Sequence, residues 1–258
     1  MLEGCQQSTY YREAKSIENT AALNHLVERK SVIVVGTRIY LKFLNDQMLQ
    51  FQEALEAIRA RSVETSNREI SVILQEMLDA DQQAAVDLVV KVPISIITGI
   101  PGSGKYHVIR NIVAMFEGVE GEPVPTVCAL TGKACANLMA HHVNAQTIHS
   151  IVWRGGRSAG NVNPAVTTLI VEEASMVDIE LMLSLLNVLP SVKRLVLVGD
   201  PDQLPPLSRG PVLQMLMGQV PTASLTIDHR VDAASKSLAA AAASIRSQTP
   251  LILPPFPE

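Results

Sequence analysis

An α/β fold with a mostly parallel sheet is predicted from residue 78 onward, on three observations. Short β-rich apolar runs at 93–98, 125–130, 167–171 and 194–198 alternate with segments of helical spacing, and strands joined by helical crossovers pair in parallel. The runs give way to Gly99, Thr131, Glu172 and Gly199, residues suited to turns or chemistry rather than to a strand interior. Hydrophobic residues make up 47% of the 258 positions, enough for a sizeable core.

Upstream, residues 1–77 are expected to form a mainly helical segment. A helix begins at 23–27, and 31–35 with 37–41 form a short β pair around Gly36. Residues 43–61 place Phe43, Met48, Phe51, Leu55 and Ile58 near helical spacing, and a second helix is expected at 69–78. The α/β domain spans 78–250 and closes with an Ala-rich helix at 235–245. A Pro-rich tail, 251–258, follows. No apolar run reaches the ~18 residues of a membrane helix, and no charged-then-apolar leader follows Met1. Cys5, Cys128 and Cys135 lack zinc-type spacing. A cytoplasmic chain with reduced thiols is expected. The net charge of −4 does not advertise nucleic-acid binding, although a local cationic groove would suffice for it.

Three strings carry chemistry. Gly99, Ile100, Pro101, Gly102, Ser103, Gly104, Lys105 and Tyr106 follow the first apolar run and open a helix. Glycines there let backbone N–H groups close around phosphate oxygens, the helix N-terminus adds a favourable dipole, and Lys105 brings a charge to the β and γ phosphates. The run 167–171 ends in Glu172 and Glu173, the first placed to hold Mg2+ and the second to polarise an attacking water. The run 194–198 ends in Gly199 and Asp200, and Gln203 on the next turn can touch both γ-phosphate and water.

These strings, in this order, resemble the motifs of RecD-like superfamily 1 DNA helicases (exodeoxyribonuclease V alpha-subunit-like). Residues 78–86 resemble the Q motif, in which Gln82 would recognise adenine. Residues 129–134, with Thr131, Gly132 and Lys133, resemble the motif lining the single-strand path, and Gln146, Thr147, Ile148 and His149 resemble the motif after it. Residues 225–230 resemble motif IV, whose Arg230 would reach the γ-phosphate. Even 38–41 and the following helix resemble the segment preceding the motor. The resemblance spans about residues 30–250 and implies a P-loop NTPase with a RecA-like sheet. It further implies ATP and Mg2+ as cofactors, single-stranded DNA as partner, and helicase or translocase work in DNA repair and recombination. Lys105, Glu173, Gln203 and Arg230 would be catalytic, and the loop from Gly99 to Tyr106, with Gln82, would hold the nucleotide.

The chain departs from this pattern at one ion. The motif carries Thr or Ser after its lysine, where this chain has Tyr106, and Asp where this chain has Glu172. A phenol oxygen cannot take the inner-sphere place of a short hydroxyl. The extra methylene moves the carboxylate outward by about 1.5 Å, against the strict octahedron of Mg2+. A second motor domain or a protein partner is expected to be supplied elsewhere. The alternative to a hydrolysing motor is a degenerate nucleotide- and DNA-binding module. A small-molecule kinase would share the scaffold but has no use for the Gln203 loop. Of the remaining residues, His141 and His142 are expected at a solvated helix end and His107 at the surface. Trp153 either stacks a base or packs under a loop, and Met176, Met182, Met215 and Met217 fill the core.

Overall fold

The computed structural model describes residues 11–13, 20–35, 38–61, 78–118, 122–157, 166–229 and 244. The four apolar runs form β4 (Ile94–Gly99), β5 (Thr126–Ala129), β7 (Thr168–Glu172) and β8 (Arg194–Gly199). Two further strands, β6 (Ala145–Thr147) and β9 (Thr222–Leu225), complete a six-stranded sheet in the order β6-β5-β7-β8-β4-β9. All five pairings are parallel, as the sequence predicts. The carboxyl ends of the strands therefore share one edge, where ligands bind in open α/β sheets.

Side chains alternate across this sheet into two cores. Ile94, Ile96, Leu169, Val171, Leu195 and Leu197 face one core, while Ile97, Ile170, Val196 and Val198 face the other. The central strands bury both faces, so they are apolar throughout. The second core is covered by α3 (Ala80–Lys91), α4 (Lys105–Glu117) and α5 (Gly132–Ala140). The first is covered by α6 (Ile148–Arg157), α7 (Ile179–Val188) and α8 (Val212–Leu216).

The first core is also covered by α2 (Lys42–Arg61). Phe51, Leu55 and Ile58 of α2 are buried in the same cluster as Leu185 and Leu186 of α7, on the i, i+4, i+7 stripe of an amphipathic helix. Phe43 does not join that stripe and is 59% exposed. Preceding α2 are β1 (Tyr11–Glu13), α1 (Thr20–Glu28), β2 (Val32–Val35) and β3 (Arg38–Leu41). The expected β pair is β2 with β3, and β1 adds to β3 to give an antiparallel sheet in the order β1-β3-β2. Met182 is core and Met215 packs against it, whereas Met176 and Met217 are exposed. Nearly all of the expected helix at 69–78, the Ala-rich helix at 235–245 apart from residue 244, and the Pro-rich tail lie outside the described residues. Among the described residues no helix is long and apolar enough to cross a membrane.

Candidate functional site

The loop after β4 turns through Gly102 (φ 90°) and Gly104 (φ 80°), left-handed conformations that side chains with a Cβ rarely adopt. At Gly104 space is the second constraint, since a Cβ there would lie 2.5 Å from Gln82 Nε2. Pro101 and Gly102 are exposed at the loop tip. Ser103 is 1% exposed, and its Oγ has no hydrogen-bond partner among the described residues. Lys105 opens α4 and donates from Nζ to the carbonyls of Gly99 (2.8 Å) and Ile100 (3.2 Å), which holds the ammonium over the loop.

Opposite this loop stand the ends of β7 and β8. Glu172, the last residue of β7, is 3% exposed, and its Oε2 also lacks a partner among the described residues. Burial, and then the Glu173 carboxylate, push its carboxyl up to about 7, against a smaller downward pull from Lys105. Glu173 turns the chain in a left-handed conformation (φ 54°), uncommon for a residue with a Cβ. Its Oε2 accepts from Thr131 Oγ1 at 3.0 Å. Asp200 is buried at the end of β8. Its Oδ1 accepts from Asp202 N (3.0 Å) and its carbonyl from Gln203 N (3.2 Å). Ser175 Oγ donates to Gln203 Oε1 at 3.4 Å, so the Gln203 loop touches the turn that follows Glu173. These walls enclose a cleft of about 550 Å³ that brings together Lys105, Tyr106, Glu172, Glu173 and Gln203 as the sequence predicts.

Other residues line it as well. Arg110 and His107 extend it along α4, and His141 closes it from the C-cap of α5. His141 and His142 are exposed at that helix end, as expected, and His141 stacks on the ring of Tyr106, centroids 5.2 Å apart and planes 25° apart. Burial and then Glu172 raise the pKa of the Tyr106 hydroxyl, against a smaller lowering by the Asn137 side chain of α5. The ring of Tyr106 thus lies against the end of α5. In a phosphate loop this position supplies a short hydroxyl to Mg2+. The residues present do not fit that ion: Glu172 remains as a candidate ligand, but the hydroxyl is replaced by a ring committed elsewhere.

A second cleft of about 460 Å³ lies behind the loop, lined by Leu78, Asp79, Gln82, Gly104, His107 and His229. Asp79 and Gln82 form a capping box at the start of α3: Gln82 N donates to Asp79 Oδ1 (2.9 Å) and Asp79 N to Gln82 Oε1 (3.3 Å). Gln82 Nε2 then donates to Ser103 O (3.4 Å) and lies 3.2 Å from His229 Nε2. His229 donates its backbone N–H to Gly102 O (3.0 Å), and its Nε2 lies 2.8 Å from Asp79 Oδ2. His229 was not legible as a site residue except as the neighbour of Arg230, which lies outside the described residues.

On the neighbouring strand ends, Thr131 caps α5 by accepting from Ala134 N at 3.1 Å while it donates to Glu173. Gly132 opens the helix with space for a Cβ among the described residues, and Lys133 is exposed. His149 is exposed on α6, and Trp153, one turn on, is 59% exposed rather than packed under a loop.

The AAA domain family matches residues 77–251. The chain is 34% identical over 177 residues to the ATP-dependent RecD2 DNA helicase of Deinococcus radiodurans, covering 67% of this chain and 24% of that one. It is 30% identical over 199 residues to the RecBCD enzyme subunit RecD of Mycolicibacterium smegmatis, covering 65% of this chain and 35% of that one. It thus spans about a quarter to a third of the length of these relatives. The Pif1 helicase structure from Candida albicans superposes with a TM-score of 0.53 at 21% identity, covering 70% of this chain and 45% of that chain, a likeness of fold.

Proposed function

The chain belongs to the AAA domain family and has the motor-domain sequence of a RecD-like superfamily 1 helicase, and on that premise we propose that it binds ATP and grips single-stranded DNA, the one event altering the other. The observation that carries this reading is the 3.0 Å bond from Thr131 to Glu173. It joins the nucleotide cleft to the N-terminus of the helix that bears Lys133.

In this reading the loop N–H groups and Lys105 hold the β and γ phosphates. Gln82 sits beside the loop, for adenine, and contact with the γ-phosphate is assigned to Arg230. Glu173 polarises water and Gln203 senses the γ-phosphate. A Glu173 carboxylate drawn wholly toward water gives up Thr131 Oγ1. That frees the start of α5 to shift, and with it Gly132 and Lys133. Thr131, Lys133 and His149 then contact the sugar–phosphate backbone, with Trp153 beside them for base stacking. Unwinding requires a second motor domain or protein partner supplied elsewhere. The work would take place in the cytoplasm, with DNA.

A second reading is favoured by Tyr106: a nucleotide- and DNA-binding module with little turnover. Both readings require sequence-independent DNA binding, so that is tested first. Binding of a fluorescent oligo(dT), followed across salt concentrations, should weaken as salt rises. Lys133→Ala should weaken binding and reduce the log–log salt slope by about one. A slope unchanged in Lys133→Ala would remove this helix from the DNA path.

A further inference from the structure

We propose that the cleft takes a nucleoside triphosphate without a divalent cation, its phosphate charge being met by Lys105, Arg110, His107 and His141. The inference rests on the nucleotide reading of this cleft and deepens it. A triphosphate needs counter-cations wherever it binds. In phosphate loops Mg2+ is one of them, drawn in by the hydroxyl of the residue after the lysine. Here that residue is Tyr106, a bulky phenol whose ring is held against α5. Its ring lies on His141 with centroids 5.2 Å apart. The side chain therefore spans from α4 to α5 rather than offering oxygen to the loop.

The protein supplies cationic and donor groups on the same walls. Lys105, His107 and Arg110 follow one another on α4, and His141 faces them from α5. The guanidinium of arginine binds phosphate through a planar pair of donors. An imidazole donates N–H when neutral and adds charge when protonated. The N-terminus of α4 adds its dipole. Among the acids of the cleft, Glu173 already accepts from Thr131 and Asp200 from Asp202. Glu172, longer by one methylene than the Asp of the pattern, sets its carboxylate off the place that the strict octahedron of Mg2+ requires.

The test titrates the fluorescent analogue mant-ATP into the unaltered chain, once in EDTA and once in millimolar Mg2+. The two Kd values should agree within about threefold. Tyr106→Thr should bind at least about fivefold tighter in Mg2+ than in EDTA. A second measurement needs no variant: Mn2+ added with ADP should give no protein-bound Mn2+ signal by electron paramagnetic resonance. Binding by the unaltered chain that weakens tenfold or more in EDTA, or a protein-bound Mn2+ signal, overturns this inference alone. Absence of mant-ATP binding in both conditions overturns the nucleotide reading and this inference with it.

Discussion

Lys105→Ala is expected to abolish nucleotide binding, a loss of at least about a hundredfold in affinity. The ammonium sits over the loop, tethered to the carbonyls of Gly99 and Ile100, so it is held in place before a phosphate arrives. Charged hydrogen bonds contribute about 1.5–3 kcal/mol each, and a lysine reaching two phosphates forms more than one. The variant should fold normally, because Lys105 is only half-buried at the first position of α4 and alanine is a strong helix former. Circular dichroism checks the fold, and a mant-ATP titration measures the loss. Unchanged affinity in a folded variant would remove residues 99–106 from phosphate binding.

Glu172→Gln is expected to stabilise the protein at pH 8 while changing little at pH 4.5. The carboxyl is pushed up to about 7 from an ordinary value of 4.5, first by burial and then by Glu173. A folded pKa raised above the unfolded one means that the folded state holds the proton more tightly. The stability this contributes is therefore complete below about pH 4.5 and is lost as pH rises toward 7. The difference is on the order of 3 kcal/mol for a shift of this size, or roughly 5–10 °C in melting temperature. Glutamine keeps the shape and cannot ionise. Melting temperatures from pH 4.5 to 8 should show the unaltered chain falling away from the variant across that window. Parallel profiles would mean that Glu172 ionises as an ordinary exposed carboxylate.

How much of this was legible in sequence follows from which surfaces each element buries. β4, β5, β7 and β8 were legible because central strands bury both faces and leave continuous apolar runs. β6 and β9 were not, since edge strands with mixed burial carry Gln146 or Ser224 as readily as leucine. The start of α2 misled for a related reason. Phe43 fits the helical period, yet the helix buries Leu44 at that end instead.

At the site, residues bound to backbone chemistry were the ones spelled out. The glycines of the loop, Lys105, the Glu172–Glu173 pair and the Gln203 turn declare themselves because a phosphate-binding turn or a strand end demands those types in that order. Residues defined by tertiary contact did not. His141 matters only because the C-cap of α5 brings it to Tyr106, and His229 only because its backbone reaches Gly102. Asp200 appeared in its string without a part, yet it is buried and sets the Gln203 turn through Asp202 and its own carbonyl.

Coupling between nucleotide and DNA is the central claim, and it is tested most directly by the affinity for a fluorescent oligo(dT) with and without saturating ATP. The bond between Thr131 and Glu173 predicts that ATP changes this affinity at least about fivefold, the lower end of usual coupling energies. By reciprocity oligo(dT) should change ATP affinity by the same factor, and Lys105→Ala should abolish both effects. Identical oligo(dT) affinity in the two conditions, with ATP shown to be bound, would contradict the account.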